Sequence, residues 1–471
     1  MGNTCKKAGR YWFIVDNIKS TTDNPKILFW AALPINHKGQ NAKIISISPE
    51  PYEIIEDDKN HNQIVFWEYI LKKNEERVCF YYDFEIEHWE VNSNIDLSKI
   101  ENYDEQSSEF LNNTTSEPWV EITPEIKEMA LEIVGQETNP YIKANKFFNW
   151  VINNIDYEYP DLKERGSGKS FKKRKGDCGD FSAIFCAFCR SVKIPARLIT
   201  CRWFQGSGHV WAEFYLPKYG WIPVDTSIAE SFLIKSRIYN YESPQLRITG
   251  LKDTNPSFLF GNLYPNRLIV YRGINSEIIS SITNIKKTFK FMQPGGSYAD
   301  PKTIEFQGIS DKVVFSGGGV YIFNDNKKYK DIDYAFKISS YEIADGLIDV
   351  QEWDKAKVIL LGILPEYQNH SDFLFKLGKI YFYTNNLDMA IDYFTKTLSG
   401  KAGSIESIIK GWAYNYLGFC YDLKNDRALA LTNYKKIIEM DIDFKDASGV
   451  AKRYIESKFT VNDWEKIEYN I

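Results

Sequence analysis

No stretch of this 471-residue chain approaches the roughly 20 consecutive apolar residues that a membrane-crossing helix needs. The amino terminus also lacks the apolar core of a secretory signal, so a cytoplasmic protein without a membrane span is expected. Met1-Gly2-Asn3-Thr4-Cys5 has the beginning of an acylation site, but Lys6 stands where serine or threonine is required. Positive charge is not in excess either: 58 Lys and Arg face 63 Asp and Glu, for a net charge of -5, which argues against a nucleic-acid partner. The one basic cluster, Lys169 with Lys172, Lys173, Arg174 and Lys175, is expected to be a solvated loop face. Cysteine is sparse and odd in number, at 7 scattered positions, which excludes a disulfide framework. Cys186 and Cys189 have the two-residue gap of a metal knuckle. No second such pair exists and both fall inside a helical run, so no metal and no cofactor are expected.

What is present is an ordinary globular composition, 44% hydrophobic, 26% charged and 15% aromatic, in a chain too long for one core. Residues 1–95 read as a β-sandwich-like domain. Aromatic and β-branched runs at 12–15, 27–33, 43–48, 63–67 and 78–84 are separated there by Pro, Gly, Asn and Asp turns. Residues 96–116, rich in Asn, Ser, Glu and Asp, read as a linker.

The chemistry is concentrated further on. Cys178 lies in Gly176-Asp177-Cys178-Gly179-Asp180, directly before an apolar run over 181–192 that is long enough for a buried helix and must end before Pro195. Cys178 is therefore expected at a helix N-terminus, where unpaired backbone N–H groups favour the thiolate. Asp177 and Asp180 would compete for those amides, so a cationic imidazole is wanted nearby. His209 begins an alternating segment, with His209, Trp211, Glu213 and Tyr215 on one face and Val210, Ala212, Phe214 and Leu216 on the other. A turn at 217–220 and a second strand would bring Asp225 back towards His209, where it could orient the ring. A nucleophile, a base and an orienter thus fall in order within 48 residues. Cys186, Cys189 and Cys201 read as small core residues, and His37, His61, His88 and His370 as surface or turn residues. Trp150 and Trp203 are candidate groove walls, with core the favoured role for Trp150.

These blocks resemble the transglutaminase-like superfamily of papain-related cysteine enzymes. The similarity extends upstream through Ala144 to Tyr157, through Ile194-Pro195-Ala196-Arg197, and downstream through Phe260-Gly261-Asn262-Leu263-Tyr264-Pro265-Asn266-Arg267. It spans residues 117–275 and implies a papain-like α+β catalytic domain with Cys178, His209 and Asp225 as its triad. Residues 276–335 are expected to form a β extension packed on that domain.

Residues 336–471 repeat. Leu377-Gly378 with Ala390 and Phe394 aligns with Leu417-Gly418 with Ala430 and Tyr434, and a degenerate earlier copy carries Ala344, Ala356 and Leu360. This is the tetratricopeptide pattern of paired helices, with an insertion expected near 399–407 and a capping helix over 447–459. The expected whole is a multidomain α+β enzyme in which a cysteine nucleophile forms a thioester from an amide or peptide bond. Hydrolysis is favoured over transfer to a lysine amine, and a non-catalytic peptide-binding scaffold is the rival. The expected partners are a peptide or protein substrate and, on the helical repeats, a protein.

Overall fold

The computed structural model describes residues 4–158, 165–204, 208–233, 255–289, 303–316, 320–323, 332–401, 406–440 and 446–467. Gly317 to Gly319 and residues 402–405 of the expected insertion lie outside them. No helix among the described residues is long and apolar enough to cross a membrane.

All five strands expected near the amino terminus are present, and they are divided between two antiparallel sheets. In the first, Cys5–Asp16 pairs with Val78–His88, which pairs in turn with Gln40–Ser48. In the second, Lys26–Ala32 pairs with Gln63–Ile70, which pairs with Glu53–Glu56. The facing sides share one apolar cluster, in which Tyr11, Phe13 and Val15 meet Phe29, Trp67, Phe80 and Tyr82. Phe29 stacks on Trp67 at 5.2 Å between ring centroids.

Two domain expectations are corrected here. The strands within residues 303–316 and 320–323 pair with the amino-terminal sheets rather than with the middle domain. Ile304–Gln307 adds an edge strand beside Lys26–Ala32, while Val314–Ser316 and Val320–Ile322 both pair with Cys5–Asp16. Their side-chain pattern fits either domain, and only long-range pairing reveals the choice. The stretch 96–116 is not a free linker either. It holds the helix Ser108–Asn113, capped by Ser107, buries Phe110, and donates Tyr103 Oη to the Tyr215 carbonyl at 2.8 Å.

The middle of the chain packs helices against a four-stranded antiparallel sheet in the order Gly220–Val224, Gly208–Leu216, Ala196–Trp203, Arg267–Arg272. Helix Cys178–Ser191 is buried from residue 178 to 190, between helices Pro124–Val134 and Pro140–Asn154 on one side and the sheet on the other. That explains its apolar residues at every angle rather than on one stripe. Helix starts follow the expected chemistry: Thr123 and Asn139 each cap with a side-chain oxygen, ahead of a proline in the first turn.

Among its described residues the carboxyl-terminal region contains the helices Ile332–Asp349, Trp353–Tyr367, Ser371–Tyr383, Leu387–Ser399, Glu406–Leu423, Arg427–Met440 and Ala447–Glu456. Each packs on the next. A Cβ on Gly378 would sit 2.6 Å from the Phe394 ring, and one on Gly418 would overlap the Tyr434 ring. These two glycines let paired helices approach. Gly418→Ala is therefore expected to destabilise the protein by about 1–3 kcal/mol, as overpacking does. Denaturant titration checks this, and an unchanged midpoint would show that the pair can separate freely.

The first of these helices rests on the amino-terminal domain. Ile343, Ala344, Leu347 and Ile348 cover Trp12, Ile14, Cys79 and Val314 on the outer face of the first amino-terminal sheet, and Trp12 Nε1 donates to Ser339 Oγ at 3.1 Å. Strand Cys5–Asp16 is buried on both faces over most of its length, which explains its unbroken apolar run.

Candidate active site

Asp177 and Asp180 form a reciprocal capping box at the start of the Cys178 helix. Asp177 Oδ1 accepts from the N–H groups of Gly179 at 2.9 Å and Asp180 at 3.4 Å, and Asp180 Oδ2 accepts from Asp177 N–H at 3.1 Å. Gly176 has to be glycine, because a Cβ there would overlap that of Asp180. Behind the box, Arg165 forms a buried ion pair with Asp177, and Asp180 Oδ1 accepts from Gly166 N–H at 2.9 Å. Burial and the charge of Asp177 push the Asp180 carboxyl up to about 7.

Cys178 is the first residue of the helix and is 8% exposed. Its thiol does not have the lowered pKa expected from a helix N-terminus. Burial pushes it well above its ordinary value, the charges of Asp177 and Asp225 add to this, and the Val210 N–H and Arg165 only partly oppose it. The helix-end effect of a few tenths to 1 kcal/mol is smaller than the cost of a desolvated thiolate.

The strand alternation is as expected. Val210, Ala212, Phe214 and Leu216 enter the core shared with the Cys178 helix, whereas Trp211 enters a separate cluster with Ile35, Val91, Ile199, Cys201, Leu263 and Ile269. Pairing of Ala212 with Val224 brings residue 225 alongside the start of the strand, and His209 Nε2 lies 2.8 Å from Asp225 Oδ2. Burial works to raise the Asp225 carboxyl, yet His209 and Arg267 hold it below its ordinary value. It is therefore an ionised acceptor, which places the proton on Nε2 and leaves Nδ1 of His209 as the basic nitrogen. Asp225 Oδ1 also accepts from Ile228 N–H at 3.3 Å, so the helix Thr226–Leu233 fixes the carboxylate from its other side.

The structure thus joins His209 and Asp225 by a direct bond, while the polar neighbour of the Cys178 sulfur is the Val210 amide, one residue beyond His209. Ser182 Oγ donates to both the Cys178 and Val210 carbonyls, at 2.8 and 3.3 Å, and ties the helix to the strand. Trp203 stacks on the His209 ring at 5.1 Å and 28°. Trp150 instead packs among Phe171 and Phe188.

His37 and His88 are not surface residues. His37 Nε2 lies 3.0 Å from Glu213 Oε1, whose other oxygen accepts from Arg197 at 2.9 Å, and both the His37 and Glu213 side chains are nearly inaccessible. His88 is buried against Phe204. Both come from the amino-terminal domain, which covers part of the four-stranded sheet of the middle domain, so their burial depends on a contact between domains that local patterning does not report. Cys186, Cys189 and Cys201 are buried as expected.

Glu230 carries a further unexpected feature. It is 2% exposed, its Oε1 has no hydrogen-bond partner, and burial together with the Asp156 charge pushes its carboxyl up to about 8. A carboxyl that keeps its proton in the fold stabilises below its ordinary value of 4.5 and loses that contribution as pH rises through about 8. Glu230→Gln is therefore expected to raise the melting temperature at pH 9 by roughly 3 °C or more and to leave it nearly unchanged at pH 5. Melting curves at the two pH values check this, and equal effects would mean that Glu230 is ionised throughout.

Cys178 thus stands buried at a helix N-terminus, next to a strand whose histidine is bonded to an aspartate. Residues 127–226 match the family model of the Transglutaminase-like superfamily, so this part of the chain carries a transglutaminase-like core. An uncharacterized protein of Haemophilus influenzae is 25% identical over 253 residues, covering 45% of this chain, and the chain spans 64% of that relative's length. Among solved structures, a candidate cysteine protease from Cytophaga hutchinsonii is similar over 67% of this chain and 92% of its own, with 13% identity and a TM-score of 0.37. The periplasmic domain of TgpA from Pseudomonas aeruginosa is similar over 46% of this chain and 89% of its own, with 15% identity and a TM-score of 0.24. Similarity this distant says nothing about activity.

Sequence reasoning missed Arg165 and Arg267 as parts of the site, and the burial of Glu230 beside Asp156. Arg267 had one signal, its place in the Phe260 to Arg267 block. Arg165 and Glu230 had none, since a charged residue in a helix or loop reads as surface until its neighbours are known.

Proposed function

We propose that this protein is a cysteine-nucleophile acyl-transfer enzyme acting on amide or peptide bonds. The observation that carries this reading is the buried 2.8 Å bond between His209 and Asp225 beside the start of the Cys178 helix. Cys178 Sγ attacks the amide carbon, and Nδ1 of His209 takes the thiol proton and delivers it to the departing amine. Asp225 holds the ring and stabilises the imidazolium. The amides of Gly179 and Asp180 are occupied by Asp177, so the Cys178 N–H is the first-turn donor assigned to the oxyanion. Water then cleaves the thioester, and the same histidine acts as its base.

Because the resting thiol is held protonated by burial, proton transfer has to be coupled to substrate binding, which displaces water and brings the imidazole into play. Hydrolysis is the favoured outcome, with transfer to a lysine amine as the alternative. Incubating the protein with glutamine-containing and general peptides in the presence of a fluorescent primary amine separates them. Peptide cleavage or ammonia release without amine incorporation supports hydrolysis, and stoichiometric incorporation supports transfer. The helical region is proposed to be a tetratricopeptide-type array, on the strength of the glycine–aromatic crossings at Gly378 and Gly418. A protein partner on it would be a peptide segment.

A further inference from the structure

We propose that Arg267, with Arg165 as its counterpart, is a positioning residue that sets the charge balance around the Cys178–His209 pair. This inference rests on the proposed function above. Two carboxylates flank the reacting groups, and each has one buried arginine. Asp177, next to Cys178, is ion-paired with Arg165. Asp225, bonded to His209, has Arg267 Nη1 at 3.7 Å from its Oδ2, and both of these side chains are at most 2% exposed.

Arg267 is held as a charge rather than as a structural fork. Its guanidinium lies between two indoles, 4.5 Å from the Trp203 ring centre and 4.6 Å from that of Trp211, with Asp225 and Cys201 as its polar neighbours. An arginine used for bracing spends its donors on carbonyls, as Arg190 does on those of Ala196 and Thr115. Trp203 also stacks on His209, so one indole lies against both cations of the active state, Arg267 and the imidazolium.

The ionisable surroundings are few. Asp225 faces His209 and Arg267, with Cys178 and Cys201 near enough to feel its charge, and takes the Ile228 N–H from its own helix. Arg267 faces Asp225 and Cys201, and Arg202 acts on Cys201 from the same strand. Cys178 faces Asp177, Arg165, Asp225 and the Val210 N–H, and Asp180 lies behind Asp177. Arg165 against Asp177 and Arg267 against Asp225 thus offset part of the negative charge that, together with burial, disfavours the Cys178 thiolate. Removing Arg267 leaves the Asp225 charge uncompensated, which disfavours the thiolate and favours the imidazolium. Both transitions should move to higher pH, by about one unit for a charge lost at this range.

The test uses the full-length protein and iodoacetamide as the probe. Alkylation of Cys178 is followed by mass spectrometry of its peptide from pH 7 upward to the plateau of the rate in wild type, Arg267→Gln and Arg267→Lys, with circular dichroism at each pH to verify folding. The expected result is a midpoint about one pH unit higher in Arg267→Gln and near wild type in Arg267→Lys, which keeps the charge. An unchanged midpoint in a folded Arg267→Gln variant overturns the inference. So does an equal shift in Arg267→Lys, since that would reflect packing rather than charge. If Arg267→Gln does not fold, Arg165→Gln removes a charge from the other carboxylate and must shift the midpoint the same way. No shift there overturns the inference as well. A Cys178→Ala protein that keeps its amide turnover is a different outcome, which overturns the proposed function itself.

Discussion

Replacing Cys178 with alanine is expected to abolish amide turnover, by about 10⁴-fold or more, while leaving the melting temperature within a few degrees of wild type. The sulfur sits at the first position of its helix, and the capping box that holds that helix uses Asp177 and Asp180 instead. The thiol's own contribution to the frame is its packing and the Val210 N–H. Asp225→Asn should cost somewhat less, about 10³- to 10⁴-fold, because the ring loses its ionised partner while the nucleophile remains. The two losses should not add, since both residues act through His209. Steady-state rates on a peptide substrate, together with thermal melts, check this. A Cys178→Ala protein that still turns over substrate would exclude covalent catalysis at this position.

Deletion of residues 332–471 is expected to have the largest effect on stability. The helix Ile332–Asp349 covers Trp12, Ile14, Cys79 and Val314, so its removal uncovers a continuous apolar face on the first amino-terminal sheet. Truncating one buried tryptophan typically costs about 3–5 kcal/mol, and exposing a whole face of this kind leads to aggregation. The truncated protein should melt well below the full chain and associate in solution. A protein partner is expected on the helical repeats, and their packing adds a second role, that of a brace. The packing directs the brace to the amino-terminal domain, and leaves recruitment as a question for the later helix pairs, where Tyr381, Tyr383, Tyr414 and Tyr421 are half-buried rather than displayed. Light scattering and calorimetry on the truncated protein decide the matter. A monomer with an unchanged melting temperature would show that the helices are only appended.

Local features were legible wherever a short-range rule governs them. The capping signal at Asp177, the burial of residues 181–190, the alternation of the His209 strand and the hairpin that returns Asp225 all follow from neighbouring residues. Sequence reasoning failed where distant segments meet. Strands near residues 305 and 315 join sheets begun at residues 5 and 26, and no local pattern announces which edge they take. His37 looks like a turn residue and is one, yet the catalytic sheet closes over it to meet Glu213. The thiol of Cys178 failed for a similar reason. Its helix-end position is local and favours the anion, whereas the burial that outweighs it comes from the assembled fold.

The most direct measurement is to quench the full-length protein during reaction with an activated acyl amide, digest it, and locate the acyl group by mass spectrometry. The account predicts an acyl adduct on the peptide containing Cys178, labile to hydroxylamine as a thioester is, and missing from the Cys178→Ala protein. An adduct on any of the other six cysteines, or turnover with no covalent adduct while Cys178→Ala remains active, would contradict it.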